Sequence, residues 1–183
     1  MTLGSKEIGI TYKALRMNDI DRISEIDASC YIKYAWRMVD GQRVKILLDY
    51  YETGFPEGIE HHKQALKITI KHHGFAIGAF NEEEKLIGFL TLNNHIFGST
   101  TKYVLLDQLF ISKPYRGLGI GKKLFHQSIE KAKSFGASKI YVCAGSSADT
   151  IAFYRRLGCK DALEINQALL DDDPRDVHLE FEL

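Results

Sequence analysis

The chain has few of the residues that cross-link or stiffen small extracellular proteins. Its 183 residues include only three cysteines and three prolines. Cys30, Cys143 and Cys159 are widely and irregularly spaced, and no Cys-x-x-Cys pair is present that could hold zinc or form a redox disulfide. These counts argue against a disulfide scaffold and predict a location in a reducing cytoplasm.

The sequence also lacks an excess of charge and a long apolar run. The 24 Lys and Arg residues balance the 24 Asp and Glu residues, so no overall field attracts nucleic acid or a membrane surface. The first ten residues lack the apolar core of a secretion signal, and no later run approaches the roughly 20 apolar residues of a membrane span. We therefore expect a soluble, intracellular protein in which any anion site is built locally.

Length and composition fit one compact domain over residues 1–183, since 45% of the residues are apolar and no linker or repeat divides the chain. Residues 30–51 are open to two interpretations, because Asp40-Gly41 suits either a hairpin turn or a break between two helical pieces. The remaining periodicity predicts a mixed α/β fold. Strands are expected at 8–14, 75–80, 86–92, 103–111, 139–144 and 177–181, and helices after the cap Asn18-Asp19, from Ile59 to Gly74, from Leu124 to Gly136 and from Ser147 or Asp149 to Leu157.

The most informative segment is a glycine-rich turn between a predicted strand and a predicted helix, Arg116-Gly117-Leu118-Gly119-Ile120-Gly121-Lys122-Lys123. Glycines let backbone amides approach a ligand closely, and a helix N-terminus leaves amides without acceptors and adds positive potential. The turn is therefore predicted to bind an anion.

Spacing excludes two familiar phosphate-binding loops. A Walker A loop needs glycine where Arg116 stands and Ser or Thr where Lys123 stands. A dinucleotide fingerprint needs a third glycine where Lys122 stands, and a carboxylate about 20 residues on, whereas 138–142 holds none.

The spacing of Arg116, Gly119 and Gly121 fits the pattern Arg/Gln-x-x-Gly-x-Gly/Ala, and here the sequence resembles the GNAT superfamily of N-acetyltransferases. Leu109-Phe110-Ile111-Ser112-Lys113-Pro114-Tyr115 precedes the turn as in that family. Residues 147–159 resemble a later family motif, commonly Asn-x-x-Ala-x-x-Phe-Tyr-x-x-x-Gly-Phe. The close resemblance covers residues 103–160, about a third of the chain.

The resemblance implies a central mixed, mostly antiparallel, twisted sheet flanked by helices, with a splay between the strands near 103–111 and 139–144. Pantetheine would lie in the gap, and the pyrophosphate of acetyl-CoA would lie on the amides of Gly117 to Lys122. The cofactor-binding residues implied are Leu109, Phe110, Ile111, Arg116, Gly117, Leu118, Gly119, Ile120, Gly121, Lys122, Ser147 and Tyr154.

The resemblance also suggests catalytic residues. Tyr154 stands at the family's tyrosine, where the hydroxyl serves the departing sulfur, although a core aromatic beside Phe153 is the alternative. Ser147 replaces the usual asparagine and is equally explained as a helix cap. Asp107 occupies a strand position where relatives carry an acid acting as base, and an ordinary strand carboxylate is as good an explanation. His95 has a suitable intrinsic pKa but little else to support it.

Several residues bear on the acceptor. Valine at 142 replaces a glutamate of relatives that acetylate ribosomal-protein N-termini, which argues against that substrate class. The pairs His61-His62 and His72-His73 lack metal-site spacing and predict a solvated helix face. Asp171-Asp172-Asp173 with other acids is either a rim for a cationic acceptor or ordinary loop charge. Four aromatic residues fall where relatives build the acceptor pocket or are plain core: Trp36, Tyr50, Tyr51 and Phe55.

Together these features predict an acetyl-CoA-dependent N-acetyltransferase that uses no metal and acts by direct transfer in a ternary complex. A small-molecule amine is favoured as acceptor, because nothing outside the core suggests a peptide-docking extension. A non-catalytic acyl-CoA sensor and a protein N-terminal or lysine acetyltransferase are the alternatives. A homodimer is left open.

Overall fold

The computed structural model describes residues 9–183. A seven-stranded sheet lies at its centre, beside a separate two-stranded hairpin. The central strands are β1 (Thr11–Ala14), β4 (Phe75–Phe80), β5 (Leu86–Phe97), β6 (Tyr103–Ile111), β7 (Lys139–Ala144), β8 (Lys160–Asp161) and β9 (Val177–Glu182). Strands β2 (Cys30–Val39) and β3 (Gln42–Glu52) form the hairpin.

The central strands run in the order β1-β4-β5-β6-β7-β9-β8. Every neighbouring pair is antiparallel except β6 and β7, which are parallel. The parallel pair needs a crossover connection, and the helix α2 (Ile120–Ser134) supplies it. The predicted mixed, mostly antiparallel sheet flanked by helices is confirmed.

Helices cover both faces of the sheet and create two apolar cores. On one face, α2 and α3 (Ala148–Leu157) bury a cluster that includes Leu124, Phe125 and Ile140. On the other face, α1 (Ile59–Lys71) packs beside a 3₁₀ segment, Met17–Glu25, over a cluster around Leu66 and Phe89. Each such side chain contributes about 1.5–3 kcal/mol when fully buried, so these layers fix the strand positions.

The ambiguous segment 30–51 is a hairpin, which excludes the two helical pieces. Asp40 and Gly41 both have positive φ, 49° and 75°, as a two-residue type I′ turn requires. Strand β2 also contacts the loop that follows β7, because the Trp36 amide donates to the Ser146 carbonyl over 2.8 Å and Ala35 bridges Ser147.

Most predicted elements are present, with differences in the limits of some elements and two elements that were not predicted. The first strand is described from Thr11, and Ile8 lies outside the described residues. The predicted helix after Asn18-Asp19 is a 3₁₀ segment that starts earlier, at Met17, and the Asp19 carboxylate accepts from the Arg16 amide instead of capping a later start. Strand β5 runs five residues past Leu92, and both β8 and the short helix α4 (Gln167–Asp172) were absent from the prediction.

Candidate active site

Strands β6 and β7 separate into a fork. Their parallel pairing runs from Tyr103 opposite Lys139 to Leu106 opposite Val142 and then stops. Beyond that point β7 pairs only with β9, while β6 continues beside β5. The splay predicted between residues 103–111 and 139–144 is present, and it opens at Leu106.

Asp107 lies at the base of this fork because β6 carries a bulge there. Thr91 of β5 is opposite Gln108 and the next residue, Leu92, is opposite Leu106, so Asp107 has no partner on β5. A bulge inserts one residue and turns its side chain out of the regular alternation. The Asp107 side chain is exposed to solvent, yet burial of the surrounding site raises its pKa. A carboxyl group on the floor of an open cleft has both properties, an exposed side chain and a raised pKa.

Beyond the bulge, backbone groups of β6 point into the fork. The Ser112 amide donates to Ile87 of β5, and bonding alternates along an antiparallel pair. Leu109 and Ile111 therefore direct their N–H and C=O groups away from β5. The Ile111 carbonyl accepts from Arg116 Nε at 2.9 Å, which leaves the Ile111 amide and both groups of Leu109 facing the gap. The Phe110 side chain points elsewhere and packs against Phe55 and His62.

The glycine-rich turn leads directly from the fork into α2. Gly117 and Gly119 have φ of 79° and 81°, a conformation that favours glycine, and Gly119 is the N-cap of α2. Within the described chain, the backbone amides of residues 117–122 have no hydrogen-bond acceptor. A row of six such amides at a helix N-terminus is an anion-binding surface.

The side chains of the turn divide into three groups. Arg116 is anchored, since its second guanidinium nitrogen donates to the Ser29 carbonyl over 2.8 Å. Lys122 is exposed, and no described carboxylate lies within ion-pair distance of it. Leu118 is half exposed, whereas Ile120 is buried in the core. A Cβ at Gly121 would lie 3.2 Å from Phe153, so glycine lets α2 pack closely there.

Tyr154 is buried between α3 and the sheet, beside Phe125 and Phe153. Its hydroxyl has no hydrogen-bond partner in the described part of the chain, and burial raises its pKa. The thiols of Cys143 and Cys159 and the carboxyl of Asp176 lie close enough to raise its pKa further. Ser147 caps α3, because its Oγ accepts from the Thr150 amide over 3.1 Å.

The floor of the fork is acidic. Cys143 lies on β7 just past the point of separation, and burial together with Asp107, Asp172 and Asp176 raises its pKa to about 12. Burial and neighbouring carboxylates likewise raise the pKa of Asp176 to about 6, and the loop residue Glu57 is one of those neighbours. The cleft therefore collects acids from several elements of the fold.

The hairpin spans the open end of the fork. Arg116 joins the start of β2 to the end of β6, and Trp36 joins its middle to the loop after β7. Tyr51 accepts from Lys113 over 2.9 Å, so β3 also reaches the end of β6. Tyr50 and Tyr51 are about half exposed.

One histidine prediction changes. His62 is 8% exposed and hydrogen-bonded to Gln108 and Pro56, so the prediction of a solvated helix face is wrong at that residue. Because α1 packs with its His62 side against Phe55 and Phe110, only His61 of the pair faces water. His95 lies on β5 in the irregular stretch between Leu92, which is opposite Leu106, and Ile96, which is opposite Val104.

Gln108, His62, Asp176 and the bulge were missed from the sequence. The sequence did carry a signal for the bulge. The core-facing side chains are at even positions before Asp107, Val104 and Leu106, and at odd positions after it, Leu109 and Ile111, so the alternation shifts by one residue. The other three depend on chain segments meeting in space.

These features define a protein with a splayed parallel strand pair that opens beside a helix N-terminus whose amides are free to bind an anion. Residues 44–159 match the family model of the acetyltransferase (GNAT) family. The chain belongs to this family, as the sequence predicted, and the predicted enzyme class is the class of this family.

Known proteins agree with the assignment. An uncharacterised N-acetyltransferase, ycf52 of Porphyra purpurea, is 31% identical over 97 residues, 51% of this chain and 52% of the relative. The match thus covers about half the length of this curated relative. Two solved structures share the fold. A nourseothricin acetyltransferase has a TM-score of 0.71 at 18% identity, covering 94% of this chain and 98% of its own. The PaiA N-acetyltransferase of Thermoplasma acidophilum, in complex with coenzyme A, has a TM-score of 0.61 at 19% identity, with 96% and 100% covered.

Residues 9–183 contain no helix that combines the length and apolar character needed to cross a membrane. The same residues form no group of three or more His, Cys, Asp or Glu side chains placed to hold a metal ion.

Proposed function

We propose that residues 1–183 act as one acetyltransferase domain that transfers the acetyl group of acetyl-CoA to a primary amine of a small molecule. The observation that carries this proposal is the meeting of two features: six acceptor-free amides at residues 117–122 and the fork between β6 and β7. The row of amides suits a diphosphate, and the fork suits an extended ligand chain that carries amide groups.

The residues present fit acetyl-CoA, which when bound supplies the acetyl thioester. The amides of 117–122 bind its diphosphate, and the exposed Lys122 adds a positive charge at the same place. Leu109 and Ile111 hydrogen-bond the pantetheine arm through the backbone groups that face the fork. An amide there also stabilises negative charge on the thioester oxygen.

Asp107 acts as the general base in this proposal. An alkylamine with a pKa near ~10.4 is almost wholly protonated at neutral pH and must lose a proton before it attacks. Burial raises the pKa of Asp107 from its usual range, which makes the carboxylate a stronger proton acceptor. Tyr154 acts as the acid in this proposal, because its buried hydroxyl is protonated at neutral pH and has no hydrogen-bond partner in the described chain, so it is free to donate to the departing thiolate.

Direct transfer is supported by the state of Cys143. A covalent route through a cysteine would need a thiolate at the fork, and Cys143 lies on β7 directly after the last residue that pairs with β6. Its pKa of about 12 keeps the thiol protonated and unreactive at neutral pH. The amine therefore attacks the thioester while both substrates are bound.

The test combines cofactor binding with an amine panel. Calorimetric titration with acetyl-CoA is followed by assay of small amines, peptides with free N-termini and lysine peptides, with free thiol detected as product. Micromolar binding and thiol release with small amines support the proposal. Release only with peptides indicates a protein acetyltransferase, and binding without release with every acceptor indicates an acyl-CoA sensor.

The assignment of the base is tested separately. Asp107→Asn should lower kcat for the amine by about 10²-fold or more, the usual size of a general-base contribution, and leave the affinity for acetyl-CoA unchanged. An Asp107→Asn enzyme with wild-type kcat and pH profile would exclude this role. The matched control is Asp149→Asn, an exposed carboxylate in the first turn of α3.

We also propose that the hairpin is a dimer contact in a homodimer, resident in the cytoplasm. It displays eight large apolar side chains that are 36–65% exposed, and four of them are tyrosines, a residue enriched in protein interfaces. Sedimentation of the wild type and of Leu47→Lys tests this: a wild-type dimer and a monomeric variant are expected. These eight are Tyr31, Tyr34, Met38, Val39, Leu47, Leu48, Tyr50 and Tyr51.

A further inference from the structure

The bulge that presents Asp107 is held by a buried polar link outside the fork. Gln108 follows Asp107 directly and is 4% exposed, and its Oε1 lies 2.8 Å from His62 Nδ1. The other ring nitrogen, Nε2, lies 2.8 Å from the Pro56 carbonyl. One imidazole therefore connects β6 to the loop before α1.

The loop at the other end of the link is part of the cleft. Glu57 follows Pro56 with a φ of 61°, a conformation that few side chains adopt without support. Its charge acts on Asp176 across the fork. Fixing the Pro56 carbonyl therefore also fixes the backbone from which the Glu57 side chain extends, and the Glu57 carboxylate lies 3.2 Å from His61 Nδ1 at the start of α1.

The imidazole itself has little freedom to move. Its ring centroid is 5.1 Å from that of Phe55 and 4.7 Å from that of Phe110, and the residue is 8% exposed. Both ring nitrogens face carbonyl oxygens, Oε1 of Gln108 and the Pro56 carbonyl, and a ring that donates to both is an imidazolium. If the oxygen and nitrogen of the Gln108 side-chain amide exchange places, a neutral ring accepts from Nε2 of Gln108 and still donates to Pro56. Both forms keep the link.

We propose that His62 and Gln108 are positioning residues for acetyl transfer, which hold the Asp107 bulge and the Pro56–Glu57 loop in register on opposite sides of the acceptor cleft. The inference rests on the proposed function. It assigns these two residues to the acceptor half of the reaction and not to the binding of acetyl-CoA, since their contacts lie on the α1 face of the sheet, away from the turn at 117–122.

The variants His62→Phe and Gln108→Leu test the link. Phenylalanine keeps a ring between Phe55 and Phe110 but removes both nitrogens. Each variant should lower kcat/KM for the amine about 10-fold, the effect of losing one or two buried hydrogen bonds, with KM for acetyl-CoA unchanged. The double variant should lose no more than the larger single variant, because either change breaks the same link. His72→Phe, an exposed position at the end of the same helix, is the control.

The comparison of the two substrates separates positioning from simple stability. A variant that is only destabilised should lose activity equally with the amine and with acetyl-CoA, whereas loss of the link should affect the amine alone. Equal losses with both substrates, or additive losses in the double variant, would each overturn the proposal.

The two proposals fail in different ways. A wild-type protein that transfers acetyl to no acceptor removes both. An Asp107→Asn enzyme that keeps its acid limb removes the base, and with it the role of the link. A fully active His62→Phe enzyme beside an inactive Asp107→Asn enzyme removes only the link. If His62→Phe does not fold, Gln108→Leu gives the same readouts from the other end.

Discussion

Replacement of Gly119 by valine tests whether the turn at 117–122 binds acetyl-CoA. Gly119 has a φ of 81°, and a Cβ added there meets no atom within 4 Å. The cost to folding is therefore backbone strain alone, about 1–2 kcal/mol for a side chain in the left-handed region. For a chain of this size that loss lowers Tm by about 2–8 °C.

The effect on binding should be larger than the strain suggests. Valine relieves strain by moving φ toward negative values, which turns the amides around Gly119 away from their common direction. A hydrogen bond to a charged group is worth about 1.5–3 kcal/mol, so losing one raises Kd for acetyl-CoA about 10-fold or more. Calorimetric titration measures the Kd, and thermal denaturation measures the stability.

Gly41→Val provides a matched control. Gly41 has a φ of 75° in the hairpin turn, and a Cβ there also meets no atom within 4 Å. Both variants should show a similar fall in Tm, but only Gly119→Val should weaken acetyl-CoA binding. Equal Kd values for the two variants would refute the placement of the diphosphate on this turn.

Three further predictions concern the fork. Tyr154→Phe should lower kcat at least several-fold, and an unchanged kcat excludes the acid role. The free energy of unfolding, measured by thermal denaturation, should change by less than about 0.5 kcal/mol, because the hydroxyl has no partner in the described chain. Cys143→Ala should retain amine turnover, and iodoacetamide at pH 7.5 should leave Cys143 unmodified, since its pKa is about 12; rapid alkylation would contradict direct transfer as argued. Asp176 has a folded pKa of about 6, above the unfolded value near ~3.9, so it binds more protons in the folded state. Its contribution to the free energy of unfolding therefore becomes less favourable as pH rises from about 4 through 6. Asp176→Asn should therefore raise Tm relative to wild type at pH 7.5 but not at pH 4, and equal differences at both pH values would exclude the linkage.

Local patterns in the sequence determined the elements around the cofactor half of the site. Residues 103–111 and 139–144 are strands with the predicted limits, because apolar periodicity acts within a few residues. The glycines of the turn were legible for the same reason, since positive φ and a helix N-terminus are properties of adjacent residues.

Only the tertiary structure decided which side chains border the proposed acceptor side of the fork. The hairpin at 30–52 was ambiguous in sequence, and it became a cover for the fork through contacts with Ser146 and Lys113, more than sixty residues away. His62 lies at a helical position that the sequence alone assigned to solvent, yet packing against Phe110 buries it. Hydrogen bonds and charges across the fork depend on chain segments that no local pattern brings together, and so the sequence by itself determined the strands and the turn, while the fold decided which side chains share the cleft.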